Sequence, residues 1–204
     1  MGDPRKFKNT YSRPSHPWQS ERIEEERTLV REYGLKNKSE IYRTRSKLKS
    51  FADLAKKLIA ARGAQADKER QQLLSRLARL GLIKSGAQLD DVLGLQLKNL
   101  LERRLQTIVS RKGLARSVNQ ARQFIVHEHI TVGNRTVSAP SYHVPLDEEG
   151  SIAIIPNSPY ANTAHPERAL PPMKPQPPRP PRDDRRGPRR GPPRGQMQRR
   201  GDRR

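Results

Sequence analysis

The chain predicts an α+β fold: a helical N-terminal region, a small α-α-β module carrying two short strands, and a basic C-terminal tail. Three observations carry that reading. Leucine-rich stretches between residues 20 and 102 recur at helical spacing. Two β-branched runs flank Gly133-Asn134, a pair suited to the positive φ angles of a hairpin turn. Beyond residue 165 the chain is dominated by proline, arginine and glycine, with too little apolar surface to offset chain entropy. The expected divisions are a basic arm over 1–19, a helical region over 20–102, the module and following strands over 103–165, and a disordered tail over 166–204.

In the arm, Arg5, Lys6 and Lys8 precede Tyr11, Pro14, Pro17 and Trp18, an extended cationic segment with aromatic faces able to stack on bases. Trp18, the single tryptophan, has a second reading as an anchor against the helices. Ser20 is the expected cap of a first helix. Glu21, Glu24, Glu25 and Glu26 complement its N-terminal dipole, facing solvent or a basic neighbour, and Gly34 closes it.

A second helix is expected from Ser39 toward Arg62, burying Leu48, Phe51, Leu54, Ala55, Leu58 and Ile59. Tyr42, Arg43, Arg45, Lys47 and Lys49 crowd its first half. They form either a hydrated face or, ahead of a basic module, a set of phosphate contacts. A third helix runs from Asp67 to Leu80, with Leu73, Leu74, Leu77 and Leu80 as core and Gly81 as the stop. These leucines lack the sustained heptads of a zipper. An acid-capped turn at Asp90-Asp91 leads into one helix that carries Leu97, Leu100, Leu101, Leu105 and Ile108 and ends at Gly113. There is no internal repeat.

Within the module Ser117 precedes an apolar-periodic run with Gln120 three residues on, so their side chains can satisfy backbone N–H groups at a helix start. Val118, Ala121, Phe124 and Ile125 share one face, and Arg122 projects elsewhere as a candidate RNA contact. Ile130 to Val132 and Arg135 to Val137 form the hairpin, and residues 144–155 alternate toward further strands.

The order of these elements, with Glu102-Arg103-Arg104-Leu105, Ala115-Arg116-Ser117, Gln120-Ala121-Arg122-Gln123 and Pro140-Ser141-Tyr142, resembles the RNA-binding domain first defined in small-subunit ribosomal protein S-four. Residues 16–26, 34–43 and 90–109 are similar to the archaeal and eukaryotic branch of that ribosomal family, so the resemblance spans nearly residue 1 to about 160. Two departures stand out. Family members usually have glycine between two histidines where this chain has Glu128 between His127 and His129, and Asn-Gly where it has Gly133-Asn134.

The resemblance implies a structural constituent of the small ribosomal subunit that binds small-subunit rRNA at a 5′-domain helical junction early in assembly. It further implies a place near the mRNA entrance region and an influence on translational accuracy through a neighbouring small-subunit ribosomal protein. The expected rRNA contacts are Arg5, Lys6, Lys8, Arg43, Arg45, Lys47, Arg103, Arg104, Lys112, Arg116, Ser117, Arg122, Gln123 and Arg135. Ser117 has a competing reading as a helix cap, and Arg122 one as the partner of a surface acid.

Composition agrees with a nucleic-acid partner: 42 Lys and Arg face 21 Asp and Glu, a net charge of +21. The tail reads either as a solvated linker or as an arm that folds along RNA. With no cysteine, disulfides and thiolate metal sites are excluded, including the zinc that some relatives of the family carry. His127-Glu128-His129 straddles a helix end and is poorly arranged for ligation, so no metal and no cofactor are expected. Neither an apolar leader nor an apolar run of about 18 residues is present, so the expectation is a cytoplasmic protein without a membrane partner. Phosphate-cradling glycine loops and catalytic motifs are lacking too, which argues against the enzymes that carry this module. The remaining alternative is a non-ribosomal stress or quality-control factor built on the same module, against which the long helical region argues.

Overall fold

A computed structural model describes residues 9–84, 86–162 and 165–166. The expectations for Arg5, Lys6 and Lys8, and for the tail from residue 167 onward, lie outside the described residues.

Helix α1 spans Ser20–Glu32, but Ser20 does not cap it. Gln19 holds the cap position with no side-chain bond, its carbonyl accepting from the Ile23 N–H at 3.2 Å. The entering chain is fixed instead by Arg22, which donates to the carbonyls of His16 (2.7 Å) and Pro17 (3.0 Å). Of the acidic run, Glu26 turns inward and is matched by Arg22 at 2.9 Å and Lys38 at 3.0 Å.

Helix α2 (Lys38–Ala60) buries Ile41, Thr44, Ala55 and Leu58. The expected stripe was too wide: Leu54 and Ile59 stand at its edges, 41% and 46% exposed. Residues 51, 55 and 58 follow the 3.6-residue period, and their neighbours fall off the buried face. Helix α3 (Ala64–Arg79) begins three residues before the expected start and packs Leu73 and Leu77 with Ala55, Leu58 and Val92. Arg70 of α3 caps the end of α2, donating to Leu58 O at 2.7 Å and Ala61 O at 2.6 Å, carbonyls near a helix end that lack a helical N–H partner.

Helix α4 (Leu89–Leu93) opens with the Asp91 carboxylate accepting the Gln88 N–H at 2.9 Å, as the acid-capped turn required. The single helix expected from Leu97 to Gly113 is instead two, α5 (Leu97–Glu102) and α6 (Leu105–Arg111). The chain bends at Arg103-Arg104 because its backbone there pairs with the segment after the hairpin. Leu105 N–H donates to Tyr142 O at 2.8 Å, and Val144 N–H donates to Arg103 O at 3.0 Å. Tertiary pairing outweighs the local preference for an unbroken helix.

Helix α7 (Val118–Val126) is capped by Ser117, whose hydroxyl accepts from Gln120 N–H at 3.2 Å. Strands β1 (Ile130–Val132) and β2 (Arg135–Thr136) form the hairpin, with Val132 opposite Arg135. Gly133 at φ +61° takes the positive angle, as a glycine-first two-residue turn requires. Where strands were expected over 144–155, a short helix α8 (Leu146–Glu149) comes first, and only β3 (Ile152–Ile154) pairs, antiparallel to β1. The sheet order is β2-β1-β3. Beneath it Leu105, Val109, Phe124, Ile125, Ile130 and Val144 form the module core. No described helix is long and apolar enough to cross a membrane.

Candidate nucleic-acid interface

The helical region meets the module along a seam organised by Glu40, near the start of α2. Its carboxylate, 13% exposed, accepts from Arg104 on one oxygen and from Arg122 Nη2 on the other at 2.9 Å. Burial works to raise the Glu40 pKa, but hydrogen bonds from Arg122 and the charge of Arg104 hold it below the usual carboxylate range. Gln106, fully buried, extends the joint: its Nε2 donates to Gly34 O and to Val118 O, each at 3.0 Å. Gly34 sits at φ +57°, and an added Cβ would lie 2.9 Å from Gln106, Asn119 and Val118. The end of α1 therefore touches the module as closely as backbone permits.

Several expected contact residues are committed to this architecture. Arg104 is buried against Glu40. Arg122, 26% exposed, faces the same acid. Arg103 donates to Glu149 and to Val144 O, each at 2.8 Å, and its side chain is largely buried. Ser117 is engaged as a cap. Lys112 reaches Glu149 O, and Arg135 bonds Tyr142 Oη at 2.6 Å and Glu148 at 3.0 Å. Arg116 and Gln123 lie exposed on the module surface.

On α2 the cations divide. Arg43 and Lys47, one turn apart, face the seam cleft with Ser141 and His143, and Arg43 also lies 5.7 Å from the centre of the Tyr11 ring. Arg45 faces a separate groove shared with Arg22 and Lys98. Beyond Lys47 the cleft widens to about 440 Å³ and gains Arg76 and Arg79 from the last turn of α3. The sequence reading missed these two arginines and His143. The spacing of Arg76 and Arg79 at i and i+3 was visible, but the leucines between them drew the reading to the core.

Electrostatically the cleft is one-sided. Among the described residues, Lys47, Arg76 and Arg79 have no carboxylate within ion-pair distance, and the nearby Glu40 is already taken by two arginines. Partial burial and the charges of Arg104 and Arg76 push the Lys47 pKa down. Burial, with Lys47 and Arg104 adding to it, takes His143 to about 4, so its ring is neutral near pH 7. Like charges held this close favour an anion between them.

The remaining motifs are structural. His129 bonds Ser158 Oγ at 3.1 Å and meets Phe124 and Tyr160 edge-on. Glu128 ends α7 at φ +61° and is exposed. Among the described residues no three potential ligands gather around a metal position. Trp18 stands 89% exposed, so it is not buried as an anchor against the described helices.

The α-α-β-β module places the chain among S4-domain proteins: residues 103–149 match the S4 domain family. "Small ribosomal subunit protein uS4" of Methanococcus aeolicus is 54% identical over 169 residues, covering 82% of this chain and 96% of the relative. The proteins of that name from Methanococcus maripaludis strain C5 and Methanococcus vannielii are 47% and 46% identical, each over 82% of this chain and 95% of theirs. The chain belongs to the family of small ribosomal subunit protein uS4.

Proposed function

We propose that the chain is a structural constituent of the small ribosomal subunit that binds small-subunit rRNA at a 5′-domain helical junction, nucleates assembly, and tunes translational accuracy through a neighbouring protein near the mRNA entrance. Its place in the cell is then the cytoplasmic small subunit. Family membership over most of the chain supports the ribosomal role. The observation that carries the RNA reading is the seam cleft, where Lys47, Arg76 and Arg79 converge without described acidic partners. Folded RNA presents phosphates and 2′-hydroxyls more accessibly than base edges, so a rigid body with cations on two elements reads junction shape.

Arg43, Arg45, Lys47, Arg76, Arg79, Lys112, Arg116, Gln123 and Arg135 form the proposed contact surface, joined by Arg5, Lys6 and Lys8 of the arm. Arg103, Arg104, Arg122 and Ser117 hold the scaffold that presents it. Two measurements test this. Affinity for a transcript of the small-subunit 5′ domain should fall steeply with salt, by a log–log slope of about −0.7 to −0.9 per phosphate contact. Tagged chain should also remain with small subunits through a high-salt sucrose cushion. A nearly salt-independent affinity contradicts a phosphate interface, and release from the subunits at high salt favours a non-ribosomal factor.

A further inference from the structure

The cleft between α2, α3 and the segment after the hairpin has more than charge. Its wall is apolar where Phe51, Leu82, Leu100 and Pro145 line it, and its rim is cationic where Lys47, Arg76 and Arg79 stand. At about 440 Å³ it falls within the range of small-ligand sites, roughly 300–1,000 Å³. A flat phosphate-binding surface needs neither the depth nor the apolar wall. A base needs both.

We propose that this cleft receives one unpaired nucleotide of a bound RNA strand, its base against the Phe51–Leu82 wall and its phosphate among Lys47, Arg76 and Arg79. The inference rests on the RNA-binding reading and gives it a specific ligand. Bases in an A-form duplex are stacked and their major-groove edges lie too deep for side chains, so only an extruded residue can enter. Charge complementarity selects the occupant: an apolar peptide would leave three cations without a counter-charge, whereas a nucleotide brings apolar ring and anion together. His143, on the cleft lining and uncharged near pH 7, offers the base or ribose one donor and one acceptor without adding a further cation.

The test uses the full chain and two RNA duplexes of equal length, one with a single bulged 2-aminopurine and one with that base paired. The bulged probe should bind about tenfold more tightly, in line with one base packed on a side-chain wall, and its fluorescence should change on binding. Ser50 is exposed on α2 and lines the cleft, so Ser50→Trp should fill the space and abolish that preference, weakening the bulged probe much more than the paired duplex. Arg76→Gln, at another exposed position, should weaken the bulged probe more than the paired one. Helical circular dichroism checks that both variants fold. Equal, salt-dependent affinity for the two duplexes overturns the pocket while leaving the RNA reading standing. Binding to neither duplex nor to the 5′-domain transcript overturns both, and a bulge preference that survives Ser50→Trp in a folded chain places the base elsewhere.

Discussion

Glu40 and Arg122 lie 82 positions apart in the chain and meet at 2.9 Å, closing the joint between the helical region and the module. The carboxylate is shared with Arg104, so two module cations hold one helical-region acid. Removing Arg122 leaves Glu40 with one cation, Arg104, and the more distant Lys36 N–H at 3.4 Å.

Arg122→Ala is therefore expected to destabilise the fold by about 1–3 kcal/mol, the scale of a charged hydrogen bond in a partly buried setting. Arg122→Glu should cost more, because it sets a second carboxylate beside Glu40. Urea unfolding of Arg122→Ala, Glu40→Gln and the double variant gives the coupling directly. Additive losses would remove the pair from the joint, and loss of RNA affinity with unchanged stability would return Arg122 to the contact surface.

Gly34→Ala should also be expensive, about 1–3 kcal/mol. The residue stands at φ +57° with three module side-chain atoms 2.9 Å from the Cβ it would gain. Gly113→Ala is the control, since Gly113 has a similar φ of +70° but open space around it. A smaller loss at Gly34 than at Gly113 would mean that the close approach carries no weight.

Glu128 is the one described non-glycine residue at positive φ. Glu128→Gly should stabilise the chain by about 0.5–1 kcal/mol, because glycine enters the left-handed region without Cβ crowding at a helix end. Thermal melts of the two chains under identical buffer decide the sign. An unchanged or lower melting temperature would show that the glutamate earns its place through another interaction.

His143 makes stability depend on pH in a defined window. Burial lowers its pKa in the fold to about 4 against an ordinary 6.5, so the unfolded chain binds a proton that the folded one refuses. The contribution is fully present above about pH 6.5 and is lost as pH falls toward 4. Glu40, held below 4.5, loses its own contribution only at lower pH, so the interval from pH 7 to pH 5 isolates the histidine. Over that interval wild type should lose about 1–2 kcal/mol more than His143→Gln. Parallel losses in the two would assign the effect elsewhere.

The module was legible because its signals are local. Ser117 and Gln120 are three residues apart, Gly133-Asn134 sits between two β-branched runs, and each pattern has one dominant structural meaning. The bend at Arg103-Arg104 was not legible, since its cause is pairing with Tyr142 and Val144 some forty positions on. The arginines were legible only in part. A guanidinium suits a phosphate and a carboxylate equally well, so nothing near Arg104 or Arg122 announces that Glu40 takes both. Arg76, Arg79 and Lys47 become a group only once α2 and α3 pack.

The exposure of Trp18 fixes what light can report about this molecule. The chain's single indole already stands in water and belongs to none of the three apolar cores, so its emission should shift little when the fold melts. Unfolding must be followed through tyrosine absorbance or helical dichroism instead. The same indole would move to a drier setting, and to shorter emission wavelengths, once another molecule covers residues 16–19. The chain thus carries a built-in optical reporter of docking that stays almost silent about its own denaturation.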